Sequence, residues 1–230
     1  MRFDVLTLFP ETIRPYTETS ILDRAREHGY ADIHLHNLRS FTSDKHGRVD
    51  DRPFGGGAGM ILQIEPIYEG LKYIVDQYQA DNRRVILLGA GGERFTQPKA
   101  KWYQEHIDHC VLICGRYEGV DSRVEEHLAD ETLSIGEYVL TGGELPALVV
   151  MDAVTRLIPG VLGNESSLAK ESFQESTEGE YPQYTRPASF APDTPHLIRS
   201  NAESQWTVPA PLLSGDHQAV AEWRETNKRR

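Results

Sequence analysis

Three glycine-rich segments hold the chemistry of this sequence in their backbone. Val85-Ile86-Leu87-Leu88 runs into Gly89-Ala90-Gly91-Gly92. Cys110-Val111-Leu112-Ile113 runs into Cys114-Gly115-Arg116-Tyr117-Glu118-Gly119. Leu133 to Leu140 is followed by Gly142-Gly143-Glu144-Leu145-Pro146. Glycines let backbone amides and carbonyls face a planar ligand at close range. An adenine recognised by backbone groups and apolar walls would suit Ile135, Tyr138 and Leu140. Any one of these loops serves equally well as a tight turn. Three of them after successive strands point to the ligand-binding end of a parallel sheet.

A fourth anomaly lies earlier, in Val49-Asp50-Asp51-Arg52-Pro53-Phe54-Gly55-Gly56-Gly57-Ala58-Gly59-Met60. Three consecutive glycines carry a high entropy cost, so a purely structural role is uncommon. Arg39, Lys45, His46, Arg48 and Arg52 cluster around this loop. They form the best candidate patch for phosphate contacts. The chain as a whole carries a formal net charge of -11. This is evidence against broad electrostatic attraction to nucleic acid, and an RNA site must be a local patch on an acidic body.

The elements that must position these loops follow from periodicity. Phe3 to Phe9 reads as a buried strand, closed by Pro10 as a breaker. Ser20-Ile21-Leu22-Asp23 reads as a capping box opening a short helix that Gly29 stops. Ala31 to Leu38 alternates as a second strand, residues 39 to 60 form a loop, and Pro66 opens a helix to about Gln79. The three glycine-terminated strands come next, each followed by a helix, the last over Leu145 to Leu157. Apolar strands alternating with helices predict an α/β fold, with a parallel sheet covered on both faces. Residues 163 to 180 are polar and acidic and read as a linker. Ser214 is the expected cap of a final amphipathic helix with Val220 and Trp223.

Several chemistries are excluded. A Walker A pattern, a complete GxGxxG and a GxSxG elbow are all missing from the 230 residues. Cys110 and Cys114, the two cysteines, stand roughly 13 Å apart on one strand face, too far to share a metal. They read as buried small hydrophobes. His34 and His36 alternate on a strand and read as one partly wet face. Met1-Arg2-Phe3-Asp4 lacks an apolar run behind a basic start, and the longest apolar stretch holds Asp152. No membrane association and a reducing, cytoplasmic setting are expected.

DDRPFGGGAGM, CGRYEGVDSRV, SIGEYVLTGGELPA, DAVTRLIPGVLGN and YPQYTRP stand in this order in the sequence. Together they closely resemble the bacterial tRNA (guanine-N1)-methyltransferase family. The resemblance runs from TLFPE at Thr7 to SGDHQAVAEWR near the end. It implies a deep trefoil knot in residues 1–160, a linker over 161–180 and a small helical tRNA-binding domain over 181–230. It also implies a homodimer with active sites shared between subunits. The implied reaction moves a methyl group from S-adenosylmethionine to N1 of the guanine immediately 3′ of the tRNA anticodon (position 37).

The implied site residues map onto this sequence as follows. The donor would lie against Leu87, Leu88 and Gly89, then Gly115 and Glu118. It would also touch Ser134, Ile135, Gly136, Glu137, Tyr138, Val139, Leu140, Gly142, Gly143 and Pro146. His46, Asp50, Arg52, Gly57, Gly59 and His217 would meet the RNA. Arg156 of the DAVTR motif would stabilise charge on the base. The general-base position falls on Glu171, where the family has aspartate, and Gly89-Ala90 stands where the family often has Ser-Pro. Mg²⁺ is a further candidate ion, although linker carboxylates such as Glu165 and Glu175 do not by themselves establish a site. Two other readings stay open: a knotted methyltransferase with another target nucleotide, and a weakly catalytic RNA-binding relative.

Overall fold

A computed structural model describes residues 1–163, 181–193 and 205–228. The chain divides into two compact units, Met1–Glu165 and Ser166–Arg230. The first unit begins with β1 (Arg2–Thr7), α1 (Pro10–Thr17), α2 (Ser20–Glu27) and β2 (Asp32–Asn37). The two-residue strands β3 (Asp50–Asp51) and β4 (Ile61–Leu62) precede α3 (Ile64–Gln77). Then come β5 (Arg83–Arg94), α4 (Gln97–His106), β6 (His109–Cys114), α5 (Ser122–His127), β7 (Glu131–Ser134) and α6 (Glu144–Thr155).

Five strands form one sheet in the order β2-β1-β6-β5-β7. Every pairing in it is parallel. Alternate strand residues enter two cores, because successive side chains point to opposite faces. Phe3, Val5, Ile86, Leu88, Cys110, Leu112 and Cys114 pack with Ile13 of α1, Tyr103 of α4 and Val150 of α6. Leu6, Leu87, Val111 and Ile113 pack with Ile67 and Ile74 of α3 and Val124 of α5. The expected α/β architecture, a parallel sheet covered on both faces, is therefore present. Both cysteines are fully buried on the first face, as small hydrophobes.

Several local expectations need correction. Pro10 opens α1 rather than ending local structure, since its missing N–H costs nothing in a first turn. Ser20 does not cap α2: Thr19 holds that position and makes no side-chain cap bond. Residues 39 to 60 are not all loop, because β3 pairs antiparallel with β4 and closes the glycine-rich segment at its base. Leu133 to Leu140 is extended only to Ser134, and residues beyond it turn.

In the second unit, Ser189–Phe190 pairs antiparallel with Trp206–Thr207. A short helix, Ala210–Leu213, precedes the helix His217–Thr226. Asp216, not Ser214, caps that helix by accepting from Gln218 N–H at 2.9 Å. Ser214 instead accepts from Asp216 N–H at 3.1 Å. Trp223 packs edge-on to Tyr184 at 6.0 Å. Among the described residues, no helix is long and apolar enough to cross a membrane.

Candidate functional site

The carboxyl ends of β5, β6 and β7 enclose a cavity of about 360 Å³. Its shape depends on where the backbone admits no side chain. β5 continues through its glycines, but its register against β7 shifts between Leu88 and Glu93. Both residues pair with Leu133, so Gly89 to Gly92 bulge out of the ladder. A Cβ on Gly92 would lie 2.5 Å from the Thr132 carbonyl oxygen, so only glycine lets the strands reconverge there. Gly143 N–H donates to the Gly115 carbonyl at 2.9 Å. A Cβ on Gly143 would sit 2.6 Å from Cys114 Cα. These two positions fix the turn before α6 against the turn after β6.

The third wall folds over itself. Ser134 Oγ donates to the Gly136 carbonyl at 2.9 Å. The Tyr138 ring covers Gly136, where a Cβ would meet it at 2.3 Å. Tyr117, on the second wall, holds φ +60, a conformation uncommon for a residue with a side chain.

The cavity gathers nearly every residue expected to hold the donor. Leu87, Leu88 and Gly89 line it from β5, and Gly115 and Glu118 from the turn after β6. Ser134, Ile135, Gly136, Tyr138, Val139, Leu140, Gly142, Gly143 and Pro146 complete the third wall. Glu137 is outside that lining: its side chain is 92% exposed, 3.8 Å from Arg94 Nη1.

The glycine-rich loop meets this cavity at its rim. Glu118 N–H donates to the Met60 carbonyl at 3.1 Å, and Leu62 N–H donates to Gly119 at 3.0 Å. Gly59, at φ +76, abuts the Glu118 side chain. Gly55, Gly56 and Gly57 also hold positive φ, so their conformation explains the glycine run. Asp50 lies in β3 at the base of this loop, and Arg52 is exposed beyond it. The basic patch is partly neutralised. Arg48 donates to Asp44 at 2.8 Å and holds that carboxyl well below its usual range. His46 is exposed on the same turn, its N–H donating to Asp44 Oδ1 at 2.8 Å. His217 is the first residue of the last helix in the second unit.

Arg156 is the C-cap of α6, while Pro146 of its first turn lines the cavity. At 1.5 Å per residue the intervening helix spans roughly 15 Å. Within one chain, Arg156 and the donor cavity are thus at opposite ends of α6. Glu171 and the other linker carboxylates lie outside the described residues. Among the described residues, no group of three or more His, Cys, Asp or Glu side chains is placed to hold a metal ion.

Sequence reasoning missed one pair at the cavity. Arg116 lines it, and Nε donates to Glu144 Oε2 at 2.9 Å. Arg116 lies within the CGRYEG segment, and that position was the available signal.

The chain matches the family model described as tRNA (Guanine-1)-methyltransferase TrmD over residues 1–230. It belongs to that family. A tRNA (guanine-N(1)-)-methyltransferase of Geobacillus kaustophilus is 48% identical, over 98% of this chain and 85% of the relative. One from Clostridioides difficile is 44% identical, over 97% of this chain and 90% of its own. Among solved structures, the crystal structure of tRNA (m1G37) methyltransferase from Aquifex aeolicus superposes with a TM-score of 0.76. It is 36% identical, and the match covers 97% of this chain and 87% of that one. Membership accounts for the order of the motifs, and the structure shows what the motifs build.

Proposed function

We propose that this protein transfers the methyl group of S-adenosylmethionine to N1 of guanine 37 in tRNA, acting as a homodimer. The observation that carries the reading is the glycine-built cavity at the carboxyl ends of β5, β6 and β7, in a chain of this family. The cavity fits the donor on its own terms. Its volume of about 360 Å³ lies in the range of cofactor sites. Ile135, Val139 and Leu140 offer apolar walls, and Gly89 and Gly115 leave backbone polar groups approachable. The bound donor would supply an activated methyl group.

The remaining chemistry belongs to the protein. Guanine N1 carries a proton and is a poor nucleophile while it does. Glu171 is the proposed base that removes it, and Arg156 the proposed donor to the negative charge gathering on the exocyclic oxygen. The loop Gly55–Gly59, with Arg52 and His46, is the proposed RNA contact at the cavity rim, and His217 a contact in the proposed helical tRNA-binding region over 181–230. Residues 161–180 act as the proposed linker. The trefoil knot implied by the family is part of this reading.

α6 favours the dimer. Ala147, Val150, Met151 and Val154 bury one face in the core. Leu145 and Val149 leave a second apolar face 55% and 43% exposed. Two exposed apolar side chains one turn apart on a core helix suit burial against a partner. A second copy on this face would also supply the arginine that one chain keeps at the far end of α6. Mg²⁺ would enter through the linker carboxylates, and chelation should then lower turnover without weakening donor binding.

The test uses labelled S-adenosylmethionine with two tRNA transcripts, one with guanine and one with adenine at position 37. Label as 1-methylguanosine in the first alone is the expected result. Label elsewhere, seen by nucleoside mass spectrometry, would replace guanine 37 with another target. Glu171→Gln should lower turnover by about 10²–10⁴-fold while donor affinity stays near that of the parent. Undiminished turnover would remove Glu171 from the mechanism.

A further inference from the structure

One buried charged pair beside the cavity has no part in that mechanism. Glu144 opens α6 and is 1% exposed. A carboxylate so buried is costly unless its oxygens are hydrogen-bonded. Both are. Oε1 accepts from Thr7 Oγ1 at 2.7 Å. Oε2 accepts from Arg116 Nε at 2.9 Å and lies 2.8 Å from Nη2. Thr7 Oγ1 in turn accepts from Phe9 N–H at 3.0 Å. Arg116 lies 4.5 Å above the Phe9 ring, and Nη1 donates to the Thr141 carbonyl at 3.3 Å. One carboxylate therefore ties the end of β1, the turn after β6 and the turn before α6 together. The last two are cavity walls.

The pair also decides the charge that a ligand meets. The acidic and basic side chains lining the cavity are Arg116, Glu118 and Glu125. Glu144, behind the wall, cancels Arg116. Among the described residues no ion pair compensates the carboxylates of Glu118 and Glu125, so the charge they lend the cavity is net negative. A field of that sign favours a cation over a neutral molecule of the same shape.

We infer that Glu144 is a positioning residue that fixes Arg116 and cancels its charge, so that the site prefers the sulfonium S-adenosylmethionine over the thioether S-adenosylhomocysteine. The inference rests on the methyltransferase reading. It gives the cavity a physical reason to release the demethylated product. Packing reads the methyl group by which the two ligands differ, but it does not read the charge.

The test is calorimetric titration of both ligands into three proteins. The parent should bind the sulfonium more tightly. Glu144→Gln leaves the Arg116 charge uncancelled and should reduce the sulfonium-to-thioether preference by about tenfold. Glu144→Gln combined with Arg116→Gln removes the two cancelling charges together and should restore the parent ratio. An unchanged ratio in Glu144→Gln, or equal weakening of both ligands, overturns the inference. So does a double variant that has lost the preference. If Glu144→Gln does not fold, Arg116→Gln decides with the opposite sign: it leaves the Glu144 charge uncancelled and should raise the preference by about tenfold, and an unchanged or lower ratio overturns the inference. A parent that binds neither ligand sinks the methyltransferase reading itself, before any variant is made.

Discussion

At the amino end of the sheet, Asp4 is fully buried and its carboxylate accepts from three side chains. His109 Nε2 and Arg2 Nε each approach to 2.6 Å, and His36 Nε2 to 2.5 Å. Arg83 Nε donates to His109 Nδ1 at 3.1 Å, which places the His109 proton on Nε2. Tyr78 stands edge-on to His109 at 5.2 Å and beneath Arg2 at 4.6 Å. At the carboxyl end, Glu144 is equally buried and equally satisfied, but glycine turns surround it. The amino end spends its polar side chains on one another. The carboxyl end lets backbone make the walls, and so keeps room for a ligand. Buried charge by itself therefore does not mark a site in this fold; buried charge beside glycine turns does.

The sharpest way to break this comparison is at Asp4. Asp4→Asn leaves the largely buried Arg2 guanidinium without its anion and should cost about 3–5 kcal/mol of stability in urea unfolding. Donor affinity of the folded fraction should stay close to that of the parent. A comparable loss of donor affinity would mean that the two ends are not separate. The stability term also has a pH signature. Burial pushes the Asp4 carboxyl up, but the bonds from His109, His36 and Arg2 outweigh it and hold it far below the usual carboxylate range. A depressed carboxyl contributes stability above its unfolded value, about 3.9, and loses it as pH falls through the folded value. The gap between parent and Asp4→Asn should hold from about pH 7 to 5 and narrow below about pH 4. A gap that already narrows between pH 7 and 5 would assign the titration to a histidine instead.

Gly143→Ala probes the other end. Its Cβ would press on Cys114 Cα at 2.6 Å and on Gly115 N at 3.0 Å, both backbone. Such overpacking costs about 1–3 kcal/mol. Because the displaced turn is a cavity wall, donor affinity should fall by at least about tenfold, the equivalent of ~1.4 kcal/mol. The expected pattern is the reverse of Asp4→Asn: a smaller loss of stability and a larger loss of binding, read by the same unfolding and titration measurements.

What was legible in the sequence follows the same division. Apolar runs such as Val85–Leu88 announced strands because a parallel sheet is covered on both faces. Glycines after those runs announced the cavity because ligands bind at that end. Local signals with two meanings failed. Pro10 can break a chain or open a helix, and it opens α1. Ser20 and Ser214 looked like caps, but Thr19 and Asp216 occupy those positions. Leu133–Leu140 reads as extended because its residues suit strands, yet Gly136 lets Tyr138 fold back over it. The Glu144 partners were not legible at all. Thr7 is 137 residues away and Arg116 is 28 residues away, and only the strand order β2-β1-β6-β5-β7 brings them together. Arg156 is on a readable motif, but its distance from the cavity is set by the length of α6.

The smallest expected effect uses β6, which joins the two ends and carries a cysteine near each. Cys110 and Cys114 are both fully buried, and burial pushes both thiols up. Since the thiolate is the reactive form, neither should be alkylated in the native protein at mildly alkaline pH. Gly143→Ala acts directly on Cys114 and leaves the Asp4 network around His109 untouched. Cys114 should then label faster, on the order of tenfold, through local opening of the cavity wall, while Cys110 keeps the parent rate. Mass spectrometry of the labelled peptides separates the two. Equal acceleration at both thiols would mean that β6 opens as a unit. The carboxyl end would then owe its openness to the stability of the whole sheet rather than to its glycine turns.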